Sequence, residues 1–249
     1  MGRAASLCGV ILAAGDSTRM GTDKALLPWP PVSAGHVPVG SFLSAAIQSL
    51  AFHTDLVIVV AGKNAASLAP VIYGAGAFMV VNPDSARGQF SSLQTGLQEV
   101  LNRGRDAAMV TLVDRPPVQE VTIKSLTDAF VTALDHYQWA VVPQFHGKHG
   151  HPFIAAREMI EEFLKAPPAS TAREIEHRCQ EKKLSPASPD QRVPSQSKAA
   201  TRGCNRRTES IKACERSEAV NEGTVFLVQS IDLGGSDWFS LRRLKNCKG

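Results

Sequence analysis

Four short apolar runs, each stopped abruptly by polar or turn-forming residues, constrain this chain more than any other feature. Ser6–Leu12 runs into Ala13-Ala14-Gly15, and Leu56–Val60 is closed by Ala61-Gly62. Ala77–Val81 stops at Asn82-Pro83, and Ala107–Val113 ends at Asp114-Arg-Pro-Pro. Short apolar runs between turn signals predict buried strands. Helix-length segments separate them. Ser41–Leu50 carries an apolar stripe of Phe42, Leu43, Ala46, Ile47 and Leu50, Ala65–Ile72 is a shorter segment, and Phe90–Leu101 places Leu93, Leu97, Val100 and Leu101 on one face. Val118–Leu134 predicts a long amphipathic helix. Strands at Trp139–Val142 and His151–Ala156 and a helix over Arg157–Leu164 continue the alternation. This pattern builds βαβ units, so an α/β domain with a mostly parallel sheet is expected. In such sheets ligands sit beyond the carboxyl ends of the strands. The loop after the first strand, Asn82 and Asp114 are therefore expected to converge, although they lie far apart in the chain.

The loop Ala13–Lys24 is polar and punctuated by Gly15 and Gly21, and it carries Arg19 and Lys24. Polyphosphate needs convergent N–H donors, little side-chain bulk and positive charge at close range. The loop is not a Walker A sequence. Five residues separate Gly15 from Gly21 where that motif has four, and Lys24 does not follow Gly21 directly. Ala25–Pro38 holds four prolines and is expected to run extended.

The net charge of +4 is concentrated. Residues 185–222 hold seven Lys/Arg against five Asp/Glu, and residues 240–249 hold four Lys/Arg and no acid, leaving the rest slightly acidic. The basic pI is a property of the tail and does not argue for nucleic-acid binding. Residues 185–222 have only Val193, Ile211 and Val220 as large aliphatics, too few to offset ordering entropy, so this segment is expected to be disordered. Three parts follow: a folded domain over 1–184, a low-complexity segment over 185–222, and a C-terminal strand (Thr224–Val228) and helix (Trp238–Leu244) over 223–249. No apolar run approaches the roughly 18 residues of a membrane span. The Val10–Ala14 run is shorter than the about 7–15 residues of a signal-peptide core. The five cysteines, at 8, 179, 204, 214 and 247, show no C-x-x-C spacing. A cytoplasmic chain with reduced thiols is expected.

Leu12-Ala-Ala-Gly-Asp-Ser-Thr-Arg-Met-Gly-Thr-Asp-Lys24 resembles the signature loop L-A-(A/G)-G-x-S-x-R-M-G-x-x-K of MobA-like nucleotidyltransferases, and within them the molybdenum cofactor cytidylyltransferases. Three later stretches resemble the family in the same order: Asn82 to Gly88 with Ser91-Ser92-Leu93, then Leu112-Val-Asp-Arg-Pro116, then Gly147-Lys-His-Gly-His-Pro152. The resemblance covers roughly residues 7–178. It implies a Rossmann-like three-layer α/β domain that binds an NTP with Mg²⁺, transfers the nucleoside monophosphate to a phosphorylated acceptor and releases pyrophosphate. Leu12, Ala13, Ala14 and Gly15 would hold the nucleotide, with backbone N–H groups of Ala13–Gly15 on the phosphates. Arg19 and Lys24 would neutralise charge on the α-phosphate and the departing pyrophosphate, since such reactions run on positioning and electrostatics. Asp114 would ligate Mg²⁺, as one or two carboxylates plus phosphates usually do in nucleotide sites. As a residue two before Pro116 it also fits a simple turn.

Ser92 is the candidate for base recognition, with Gly88 allowing close approach; Ser91-Ser92 equally suits the first turn of a helix. Asn82 would contact ribose or a metal-bound water, or is a plain Asn-Pro turn. His151 is the candidate acceptor contact. His146, His149 and His151 cluster, but around Gly147 and Gly150 and not on one helix face, which does not suit zinc. Arg115 stands where the family commonly has Gln. Ser170-Thr-Ala-Arg-Glu-Ile resembles a family segment near the acceptor. The chain closes with Ile231-Asp-Leu-Gly-Gly-Ser-Asp-Trp in place of the family's D-x-D-T-P-E-D-like motif, leaving Asp232 or Asp237 as a second metal ligand.

The leading reading is a nucleotidyltransferase with CTP as donor, since Ala14 stands where guanylyltransferases of the family tend to have Gly, and with a molybdopterin-type acceptor. The alternatives are a GTP-using molybdenum cofactor guanylyltransferase, a sugar-phosphate-type nucleotidyltransferase, and a non-catalytic nucleotide or cofactor carrier serving a molybdoenzyme.

Overall fold

In the computed structural model the described residues are 6–15, 22–30, 39–115, 117–145, 148–181 and 228–232, with backbone alone at 145, 148, 180–181 and 228–232. Arg19, His146, Asp237, the 185–222 segment and the expected helix over Trp238–Leu244 lie outside them.

The strands are β1 (Leu7–Leu12), β2 (Pro28–Trp29), β3 (Gly40–Ser41), β4 (Leu56–Ala61), β5 (Phe78–Val81), β6 (Ala107–Leu112), β7 (Ala140–Phe145), β8 (Lys148–His149), β9 (Phe153–Ala156) and β10 (Val228–Asp232). The helices are α1 (Phe42–Ala51), α2 (Ala65–Gly74), α3 (Gln89–Asn102), α4 (Glu120–Asp135), α5 (Arg157–Lys165) and α6 (Ala172–Glu181). An eight-stranded sheet runs in the order β10-β7-β9-β6-β1-β4-β5, with β8 pairing β7 outside that path. β5, β4, β1 and β6 are mutually parallel, as the alternation predicted, and β9 runs antiparallel between β6 and β7. β2 and β3 form a separate antiparallel pair.

β1 shows why the domain has three layers. Its side chains alternate between faces. Leu7, Ile11 and Ala13 join a core with α1, α2 and α4, through Leu43, Ile47, Leu68, Ile72, Ile123, Leu126 and Phe130. Cys8, Val10, Leu12 and Ala14 join a second core with α3, α5 and α6, through Phe90, Leu93, Leu97, Ile160, Phe163 and Ile175. Full burial of each such aliphatic side chain contributes about 1.5–3 kcal/mol, and a one-residue slip of β1 would exchange the two sets. α3 lies especially close to the sheet. A Cβ on Gly96 would sit 2.8 Å from both Val10 Cγ1 and Val60 Cγ2, so only glycine admits the helix at that height.

Several expected elements are displaced. Ala25–Pro38 does not begin extended: a 3₁₀ turn over Lys24–Leu26 comes first, because the Asp23 carboxylate accepts the Ala25 N–H at 3.0 Å and caps it. β9 starts at Phe153, two residues late, after the His151-Pro152 turn. The last described strand is Val228–Asp232, which pairs in parallel with β7; of the strand expected over Thr224–Val228, only Val228 lies within the described residues. α6 was not expected as a helix. A Thr171–Glu174 capping pair starts it: the Thr171 hydroxyl accepts the Glu174 N–H, and Glu174 accepts the Thr171 N–H.

Candidate functional site

The strand order reverses at β1. β4 and β5 lie on one side of it and β6 on the other, which opens a crevice beyond the carboxyl ends of β1 and β6. Backbone bonds level those ends. Leu12 pairs in register with both Val60 and Leu112. The Ala13 N–H reaches Val60 O at 2.8 Å, the Asn82 N–H reaches Ala61 O at 2.8 Å, and the Val113 N–H reaches Leu12 O at 3.2 Å. Ala13, Gly62, Asn82 and Asp114 consequently emerge along one edge.

Lys24 and Asp114 meet across this crevice, with Nζ 3.9 Å from Oδ2 and both side chains about half exposed. The Asp23-capped turn sets the position of Lys24, and the tight turn after β6, where the Arg115 N–H bonds Leu112 O at 3.1 Å, sets that of Asp114. Leu12, Ala13 and Ala14 are buried, and Gly15 is exposed just beyond the strand. On the other flank, a Cβ on Gly62 would lie 2.8 Å from Ala14 O and 2.9 Å from Ser85 Oγ, so the β4 turn fits against the β1 loop only as glycine.

Asn82, Ser91 and Ser92 are brought together and buried. The Asn82 amide donates to Ser91 Oγ at 2.9 Å and Ser92 Oγ at 3.0 Å, and its carbonyl oxygen accepts the Asp84 N–H at 3.0 Å. With both amide protons and its oxygen engaged internally, Asn82 orients the first turn of α3. Ser91 donates to Gly88 O at 2.8 Å. Ser92 Oγ accepts the Asn82 amide and is only 4% exposed. Gly88 adopts φ 101° and ψ 179°, a region that is essentially glycine's alone.

His151 stands ahead of β9, its ring edge-on to Phe153 with centroids 5.8 Å apart. Burial first, and the Arg115 cation second, hold its pKa down to about 4, against an opposing effect of Asp114. The imidazole is therefore neutral at physiological pH. His149 does not share that site: its Nδ1 lies 3.3 Å from the buried Glu176 carboxylate of α6. Burial raises the Glu176 pKa, with His149 opposing it.

Asp114 offers half-exposed carboxylate oxygens at a strand end, a donor set that fits a hard dication sharing its coordination with phosphates. Among the described residues, which do not include His146, no group of three or more His, Cys, Asp or Glu could hold a metal. Asp232 ends β10, paired with Gln144 at the far margin of the sheet. No helix among the described residues is long and apolar enough to cross a membrane.

Sequence reasoning passed over Asp23, Gly62 and Asn64. Asn64 opens α2, yet its side chain turns back to the β1 loop. Its place two residues after the Gly that closes β4 was the available signal.

Residues 9–183 match the MobA-like NTP transferase domain family. The chain is 32% identical over 124 residues to the probable molybdenum cofactor guanylyltransferase of Rhodopirellula baltica, a match that spans 50% of this chain and 56% of that protein. The crystal structure of Rv0371c from Mycobacterium tuberculosis H37Rv is similar at 27% identity and a TM-score of 0.54, covering 66% of this chain and 78% of that one. Its homologue from Mycobacterium sp. strain JC1 is similar at 26% identity and a TM-score of 0.52, covering 65% and 75%. Matched to that family over 9–183, well over half its length, this chain belongs to the MobA-like NTP transferase family.

Proposed function

We propose that this protein is a nucleotidyltransferase that transfers a nucleoside monophosphate from an NTP to a phosphorylated acceptor and releases pyrophosphate. The observation that carries this reading is the Lys24–Asp114 pairing across the switch point. A cation and a carboxylate at that place suit a phosphate chain and its metal. The N–H groups of Ala13–Gly15 would orient the phosphates, with Lys24 and Arg19 offsetting charge that grows on the departing pyrophosphate. Mg²⁺ on Asp114 would supply further charge neutralisation of the phosphate oxygens. Ser92 would donate its hydroxyl proton to a base edge. Neutral His151 offers a ring nitrogen to the acceptor.

CTP is the donor favoured. The support is the resemblance at Ala14, where guanylyltransferases of the family tend to have Gly. GTP is the second reading, favoured by the relative named a molybdenum cofactor guanylyltransferase. The acceptor proposed is molybdopterin, on the same relative and on the family. A reducing cytoplasm fits Cys8, a buried free thiol.

Pyrophosphate release with CTP, GTP, ATP or UTP, each with Mg²⁺, with and without molybdopterin, tests this. Release that needs both CTP and molybdopterin is expected. Release with GTP alone among the four would establish the second reading. NTP binding without release under any condition would replace the enzyme by a carrier.

A further inference from the structure

Asn64 occupies the N-cap position of α2, where Asn ordinarily accepts an N–H of the first turn. Here the side chain makes no cap bond. Its three hydrogen-bonding positions are used elsewhere. The amide donates to Ala13 O at 3.0 Å and to Asp23 Oδ2 at 2.5 Å, and the oxygen accepts the Gly62 N–H at 3.0 Å. Ala13 and Asp23 are the two ends of the β1 loop. The other Asp23 oxygen caps the 3₁₀ turn whose first residue is Lys24. One side chain thus ties the start of the loop, its end and the close of β4, and it reaches Lys24 through Asp23.

We propose that Asn64 is a positioning residue for the transfer reaction: through Asp23 it holds Lys24 opposite Asp114 and keeps the Ala13 end of the phosphate loop against β4. Asn64 touches neither phosphate nor metal. Its effect is to remove the freedom that Lys24 would otherwise lose when nucleotide binds, which makes pre-organisation its contribution. Asp23 supplies the other half of the device. One carboxylate oxygen accepts from Asn64 and the other from the Ala25 N–H, so moving Asp23 moves the lysine turn. The role in catalysis rests on the reading under Proposed function; the clamp itself does not.

The test has two arms on the full chain. The first is amide hydrogen exchange without nucleotide, comparing wild type with Asn64→Ala and the isosteric Asn64→Asp. Faster exchange confined to residues 13–15, 23–26 and 62 is expected, with α4 and α5 unchanged. Unchanged exchange at those residues would overturn the clamp. The second arm measures kcat and KM for CTP·Mg²⁺ and GTP·Mg²⁺ with molybdopterin, by pyrophosphate release. Asn64→Ala is expected to lower kcat/KM about tenfold, the order of one lost hydrogen bond to a charged group. In a Lys24→Ala background the same substitution should cost little more, because the two residues act in series. The exchange of partners, Asn64→Asp with Asp23→Asn, restores the bond between them with donor and acceptor reversed. It should recover part of the loss that Asn64→Asp shows alone. Independent, additive losses, or no recovery in the exchanged pair, would reduce Asn64 to a structural residue. Wild type that releases no pyrophosphate would remove the enzyme reading, while the exchange arm would still decide the clamp.

Discussion

Lys24 Nζ lies 3.9 Å from Asp114 Oδ2, although one residue follows β1 and the other follows β6. The parallel pairing of those strands, in register from Leu7–Ala107 to Leu12–Leu112, makes the two loops leave the sheet side by side. Because both side chains are about half exposed, their attraction is screened and adds at most about 1 kcal/mol to stability. The pair therefore contributes little to the fold.

Asp114→Ala should therefore separate activity from stability. Pyrophosphate release is expected to fall about 100-fold or more, the scale of losing a pre-organised electrostatic group, while the melting temperature stays within a few degrees. Activity close to wild type in the presence of Mg²⁺ would remove Asp114 from the site.

Gly96→Ala should do the reverse. The new methyl would meet Val10 and Val60 at 2.8 Å, and both are branched at Cβ with little rotamer freedom. Overpacking at such a seam costs about 1–3 kcal/mol, read as a lower urea midpoint with unchanged slope. An unshifted midpoint would mean that α3 can lift from the sheet freely.

At Gly88 a Cβ would meet nothing within 4 Å, so any cost of Gly88→Ala comes from the backbone at φ 101°. A strained residue there costs about 1–3 kcal/mol or turns the peptide. Turning it would move the carbonyl that Ser91 bonds, and with it the Asn82–Ser92 contact. Calorimetry should show weaker CTP or GTP binding alongside the lowered melting temperature; unchanged affinity would detach this turn from base recognition.

His151 sets the acid side of the stability profile. Its folded pKa of about 4 lies below the ordinary 6.5. The folded state therefore binds the proton less readily than the unfolded state. The stability contributed by the neutral ring is fully present above pH 6.5 and is lost as pH falls through about 4. His151→Gln should flatten that limb in urea unfolding of chelator-treated protein. An assigned His151 imidazole resonance titrating near 6.5 would show that this ring is not held neutral.

The strand runs were legible because burial on both faces leaves a sequence imprint: Val10, Ile11, Ile58, Val59 and Val110 are all fully buried. The residues that end those runs, Gly15, Asn82 and Asp114, were legible as breaks in apolar character. Asn64 left only a faint mark, its place two residues after Gly62, since a polar residue at a helix start is ordinary and only its rotamer distinguishes a cap from a clamp. The Asn82 side chain could not be assigned from sequence between a ribose or water contact and a plain turn; in the fold its amide bonds Ser91 and Ser92. The antiparallel course of β9 also escaped the pattern, because alternation in sequence does not encode strand direction.

The sequence by itself determined the α/β alternation, the phosphate-type loop with Lys24, and the polar residues at the strand ends, since these follow from local hydrophobicity and turn chemistry. The alternation let those ends be expected to converge, and the tertiary structure decided which of them are neighbours. Strand order put β6 beside β1 and so Asp114 beside Lys24, and packing turned Asn64 away from its own helix toward Asp23. Those choices depend on contacts between segments distant in the chain, whose energies no local window of sequence contains.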